Sequence, residues 1–199
     1  MRQIVQLEGS NWCGAIACCM VLDHCGIPYD LQVAKERFAE YEKQTLDEYQ
    51  GVRGDKALSS FLSEYGLITL FVQRGEPYRK FDKETYWHTT HKPRENRLAT
   101  WYQVYDLIKS GYVAITSIQR DAGKYHYVCV DDAFIRAQER WFSVVCPIRG
   151  AYEEQAERFM LAPDGNGDAL NWTFVKKMPT RFASAAEIAA TVEESKPNV

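Results

Sequence analysis

Residues 9–22 read GSNWCGAIACCMVL. Ser10 and Asn11 are residues that cap helices, and the run after them carries apolar side chains at helical intervals. Ile16, Cys19, Met20 and Asp23 fall on one line, and Ala15, Cys18 and Leu22 widen the apolar face. Gly26, followed by Pro28, is a stop signal. The spacing therefore predicts a buried central helix over residues 12–25, with Cys13 in its first turn. The segment poses a question of chemistry: Cys13 is either a reactive thiol at a helix start or one of several thiols in a core helix.

A cysteine attacks as its thiolate, and a free thiol with a pKa of about 8.5 is mostly protonated at neutral pH. A helix N-terminus, carrying roughly half a positive charge, favours the thiolate, as does a neighbouring imidazolium. Cys18 and Cys19 lie further along the helix, and Cys25 sits at its opposite end. Among these four, Cys13 is the candidate nucleophile. Of the histidines, His24 is separated from it by about 16 Å of helix and cannot be a direct partner. It is expected to add charge at the helix C-terminus instead. His88 and His91 fall in an irregular stretch. His126 opens the apolar run KYHYVCV after a turn, a rigid place from which to aim an imidazole.

Beyond the first helix, periodicity predicts helices over 31–46 and 55–65 and a short strand over 68–72. Residues 73–97 lack a period and read as an irregular insertion, open to a substrate-facing role or to plain solvation. Thr100 and Gln103 form a capping box that opens a helix ending at Gly111. Strands are expected over 112–118, 125–130 and 141–145, with a turn at 121–123. A short helix is expected over 151–160, a strand over 171–176, and a last helix from the capping box at Ser184. A polar tail, 193–199, follows. Helices first and an antiparallel sheet afterwards make an α+β domain spanning 1–192.

The chain has 199 residues, 46% of them hydrophobic, and a net charge of −3. Nucleic acid is not an expected partner of such a chain. No run reaches the roughly 20 apolar residues of a membrane helix, and residues 1–6 do not resemble a cleavable signal. Membrane insertion is therefore not expected; the expected location is the cytoplasm, or outside the cell after export without a cleavable signal. Of six cysteines, four crowd into residues 13–25, without a Cys-x-x-Cys knuckle, so neither a disulfide framework nor a metal site is expected. The run at 164–168, DGNGD, lacks the frame of a calcium loop and reads as a tight turn. No cofactor is implied.

Gln6, the Cys13-Gly14 pair seven residues later, the helix AIACCMVLDHCG, and then LIKSGYVAITSI and GKYHYVCVDD occur in that order. This set, across most of residues 3–152, resembles the papain-like peptidases that cut double-glycine leaders from bacteriocin precursors, and their stand-alone relatives. The resemblance implies a papain-like fold with Cys13 as nucleophile, His126 as base and then acid, and Gln6 as an oxyanion donor. One such donor is worth about 3 kcal/mol of barrier. Those peptidases carry an Asp-Pro pair, or Asn in some branches, after the histidine strand, and it orients the ring. Here RWFSVVCPIRGAY fits that segment with Cys146 at the acidic position. Asp131 or Asp132 is the alternative third member.

The resulting expectation is a cysteine peptidase or amidohydrolase acting on a peptide or protein, with deamidation or acyl transfer open to the same apparatus. A stand-alone bacterial effector or toxin fits so small a chain, which carries neither transporter helices nor a Walker loop. A catalytically silent papain-like binding domain is the alternative, and a zinc site comes third. Oligomeric state is not legible.

Overall fold

The computed structural model describes residues 1–6, 12–48, 53–73, 101–121, 124–160 and 171–177. The caps at Ser10 and Asn11, the insertion with His88 and His91, Thr100, the turn at 122–123, the run at 164–168, the helix from Ser184 and the tail at 193–199 lie outside these residues. The elements in chain order are α1 (Cys13–His24), α2 (Leu31–Glu48), α3 (Arg53–Glu64), β1 (Leu67–Gln73), α4 (Trp101–Lys109), β2 (Val113–Asp121), β3 (Lys124–Arg136), β4 (Glu139–Cys146), β5 (Gly150–Gln155), α5 (Ala156–Met160) and β6 (Asn171–Lys177).

Six antiparallel strands form one sheet in the order β1-β6-β2-β3-β4-β5. Its period-2 alternation separates two cores. Val113, Ile115, Cys129, Val145 and Val175 face α1, α2 and α3. Ala114, Val128, Val144, Trp172 and Phe174 face α4 and α5 on the other side. The helical layer is thus N-terminal and the sheet largely C-terminal, an α+β arrangement with a cysteine-bearing helix against the sheet.

Every residue of α1 from Gly14 to Leu22 is buried, because the sheet lies on one side of it and α2 and α3 on the other. Such a helix needs no polar face. It ends as the sequence predicts: Gly26 takes φ +65°, and the Ile27 N–H returns to the Leu22 carbonyl at 2.9 Å. The Cys129 thiol reaches the Ala17 carbonyl at 3.5 Å and ties β3 to the middle of the helix.

Two departures from the sequence reading have local causes. Residues 150–155 form a strand rather than the first half of a helix. Their Ala, Glu and Gln are helix formers, but pairing with β4 satisfies the backbone and overrides propensity. β3 also extends well beyond its predicted end and joins β4 through a two-residue turn at Ala137 and Gln138. Both residues take positive φ, 49° and 68°, a conformation usually given to Asn-Gly. A bulge at Asp131 shifts the β3–β4 register between Val130 and Asp132. It switches the alternation so that Ala133 joins Val128 and Val130 in the second core.

Gly14 carries a specific packing requirement. A Cβ at this position would stand 2.7 Å and 2.8 Å from the Phe38 ring and 3.5 Å from the Tyr127 ring. Phe38 is itself enclosed, edge-on to Phe61 at 5.9 Å. Gly14→Ala is therefore expected to destabilise the protein by about 1–3 kcal/mol in urea unfolding, as overpacked cores do. Adding Phe38→Leu should recover part of that loss.

Candidate active site

α1 starts at Cys13, with Trp12 as the flanking residue and no side-chain cap from it. The first bond of the helix runs from the Ile16 N–H to the Trp12 carbonyl at 2.9 Å. Ahead of it, backbone donors turn to the Cys13 sulfur. Burial is the largest influence on this thiol and pushes its pKa up. Hydrogen bonds from the backbone of Tyr127 and Gly14 act against burial, the Glu42 carboxylate adds to it, and the bond from Cys13's own backbone opposes it. At Cys13 desolvation outweighs these backbone donors.

The other cysteines of this segment differ in kind. Cys18 is pushed far up by burial, with further repulsion from Cys19, Cys129 and Glu42. Burial takes Cys19 up to about 12, opposed by Lys35, and it raises Cys25, opposed by Lys177. Only at Cys13, among these four, do backbone donors oppose burial. At the far end of α1, burial, then the nearby terminal amine, lowers the His24 pKa, opposed by Asp131 and Asp23.

Tyr127, whose backbone meets Cys13, directly follows His126 on β3. His126 is buried, and its Nε2 lies 3.3 Å from the Cys146 sulfur on β4. That sulfur also accepts the backbone N–H groups of Ile148 at 3.4 Å and Arg149 at 3.3 Å. Gln6 is buried too, its backbone N–H donating to the Pro147 carbonyl at 2.9 Å. The Gln3 amide donates to the Cys146 and Pro147 carbonyls at 3.2 Å and 3.3 Å. A run of contacts therefore joins Gln6 to the 147–149 turn, that turn to Cys146, Cys146 to His126, and the residue after His126 to Cys13.

The alternative third members are engaged elsewhere. Asp131 pairs with the Met1 amino group. Asp132 pairs with Lys109 at 2.7 Å and accepts the Ala133 N–H at 2.7 Å. Two participants had no sequence signal: the Tyr127 backbone, and half-buried Glu42, whose own pKa burial raises. Among the described residues, no group of three or more His, Cys, Asp or Glu is placed to hold a metal. No helix among them is long and apolar enough to cross a membrane.

The architecture has a counterpart among solved structures. The peptidase domain of Streptococcus ComA, a bifunctional ABC transporter involved in quorum sensing, superposes with a TM-score of 0.53. The match covers 88% of this chain and 97% of that domain, at 13% identity. The fold is papain-like. Two further structures match at lower scores. A double-glycine-motif protease from an AMS/PCAT transporter, solved with its leader peptide, gives 0.48 at 15% identity, covering 89% of this chain and 91% of its own. The Pseudomonas avirulence protein AvrPphB gives 0.43 at 10% identity, covering 88% and 96%. No protein-family model and no curated protein sequence matches the chain.

The influences on Cys13 give a directional test within this papain-like fold. Replacing Glu42 with Gln removes a negative charge that disfavours the thiolate. The midpoint of Cys13 alkylation by iodoacetamide, followed by mass spectrometry across pH, is expected to move to lower pH.

Proposed function

We propose that the protein is a cysteine peptidase or amidohydrolase that cleaves a peptide or protein substrate through a Cys13 thioester. The observation that carries this reading is the surrounding of the Cys13 sulfur: backbone donors from the helix start and from the residue after His126. The likeness to a peptidase domain over nearly its whole length supports it at the level of the fold.

His126 takes the Cys13 proton, and the thiolate attacks the scissile carbonyl carbon. The carbonyl π pair moves to oxygen, where the Gln6 side-chain amide and the Cys13 backbone N–H stabilise the oxyanion. Collapse breaks the C–N bond, and the departing amine leaves with the proton from His126. Water then attacks the thioester, His126 accepts its proton, and the Cys13 thiol is restored as the acid is released. Ammonia as leaving group makes the same sequence a deamidation, and an amine in place of water makes it a transfer.

Burial around Cys13 favours a second reading, a silent domain of the same fold that only binds. Turnover separates the two. Incubated with a proteome-derived peptide library and analysed by mass spectrometry, the wild-type protein is expected to generate new termini or Gln-to-Glu conversions, and Cys13→Ala none. Gln6→Ala is expected to lower kcat by about 10²–10³-fold with little change in KM. Equal product from Cys13→Ala overturns the enzymatic reading; an inert wild-type protein supports the silent one.

A further inference from the structure

We infer that the outer edge of β1 pairs with the β1 of a second copy of this chain, antiparallel about a two-fold axis at Leu70, so that two six-stranded sheets become one. The observation behind it is a difference between the margins of the sheet.

A strand at a sheet margin offers one row of backbone N–H and C=O groups to another chain, and proteins blunt such rows with charge, proline, bulges or short length. Two margins here are blunted. β5 is short, and its run GAYEEQ carries Glu153 and Glu154, which pair with Arg136 at 2.8 Å and Arg158 at 3.9 Å. Residues 132–136 of β3 lie past the last pairing with β2 and follow the bulge at Asp131. There Asp132 accepts the Ala133 N–H and pairs with Lys109.

β1 has none of these devices. Its seven residues, LITLFVQ, include no charge and no proline, and they pair with β6 residue for residue without a register shift. Among the described residues, β6 is its sole partner strand. Leu67 joins the core under the helices, and Thr69, on the same side by alternation, is buried too. Ile68 and Leu70 take the other face and stay half-buried. Leu70 packs at the margin of the second core, opposite Phe174 of β6.

An uncharged row is best matched by another of its kind, and β1 itself supplies one. A two-fold axis at Leu70 sets this residue against its own copy, Ile68 against Val72, Thr69 against Phe71, and Leu67 against Gln73. All seven residues find partners, and no like charges meet. β5 is unsuited to the same arrangement, since self-pairing would crowd Glu153 and Glu154 of both copies into one seam. Across the β1 seam, the second core continues through the two Leu70 side chains. β1 stands three strands from β3, about 14 Å at ordinary spacing, so the seam does not run through the candidate site. The pairing is independent of the catalytic reading.

Sedimentation equilibrium of the full chain is the first test. A single pair of strands makes a small interface, so a dimer that dissociates on dilution from about 100 µM to about 1 µM is expected. A monomer throughout that range overturns the proposal. Leu70→Lys and Leu70→Glu are each expected to be monomeric, because the axis sets like charges side by side, and their equimolar mixture is expected to dimerise again. Dimers retained in both single variants overturn the pairing, as do monomers retained in the mixture of two folded variants. Where either variant fails to fold, amide exchange of the wild-type protein over the same dilution decides. Protection of β1 is expected to rise with protein concentration, and protection independent of concentration overturns the proposal.

Discussion

Gly14 has no side chain, and the first turn of α1 uses the space this leaves. Phe38 closes over it from α2 and Tyr127 from β3. A closer approach of helix to strand is what brings the Cys13 sulfur to the Tyr127 backbone. A methyl group at this point would separate the two elements where they most need to touch. Packing density and chemistry are therefore set by the same contact, and the surrounding core of Phe38, Phe61 and Leu58 holds it fixed.

Burial and helix dipole compete at Cys13, and their scales decide the outcome. A helix end contributes about 0.3–1 kcal/mol to a favourable charge, and up to about 2 kcal/mol in partly buried geometry. Removing a charge from water costs several kcal/mol even after relaxation. The thiol is accordingly pushed up in the free protein despite its position. An imidazolium in contact would be the compensating charge. Under the proposed mechanism that charge would come from His126, which would then serve the nucleophile's ionisation as well as act as base.

Much of this architecture is written locally. α1 is legible because its apolar run, its stop at Gly26 and its position behind turn formers agree. β6, with Trp172 and Phe174 stacked on one face, is legible from alternation. The β3–β4 hairpin is not, because Ala137 and Gln138 adopt a turn that their side chains do not announce. β5 is misread because neighbouring β4, rather than its own composition, makes it a strand. At the candidate site, Cys13 and His126 are nameable from the residues and their placement, and Gln6 and the position of Cys146 from the family resemblance. The two backbone donors that fold back onto the Cys146 sulfur after Pro147 leave no trace in the sequence. Glu42 is illegible for a similar reason: a charge on a helix stripe reveals nothing of a thiol on another helix that feels it.

The strand order carries a consequence for how the molecule is made. β6 lies between β1 and β2, pairing Leu67 with Lys177 on one side and Val113 with Val175 on the other. During synthesis β1 emerges more than a hundred residues before the strand that joins it to the rest of the sheet. Until then its backbone pairs with no other strand of this sheet, and the layer of α1, α2 and α3 rests on an incomplete floor. Such long-range closure slows folding and leaves an exposed edge in the nascent chain. Emergence of β6, rather than of the early helices, therefore sets the moment at which the sheet can become continuous.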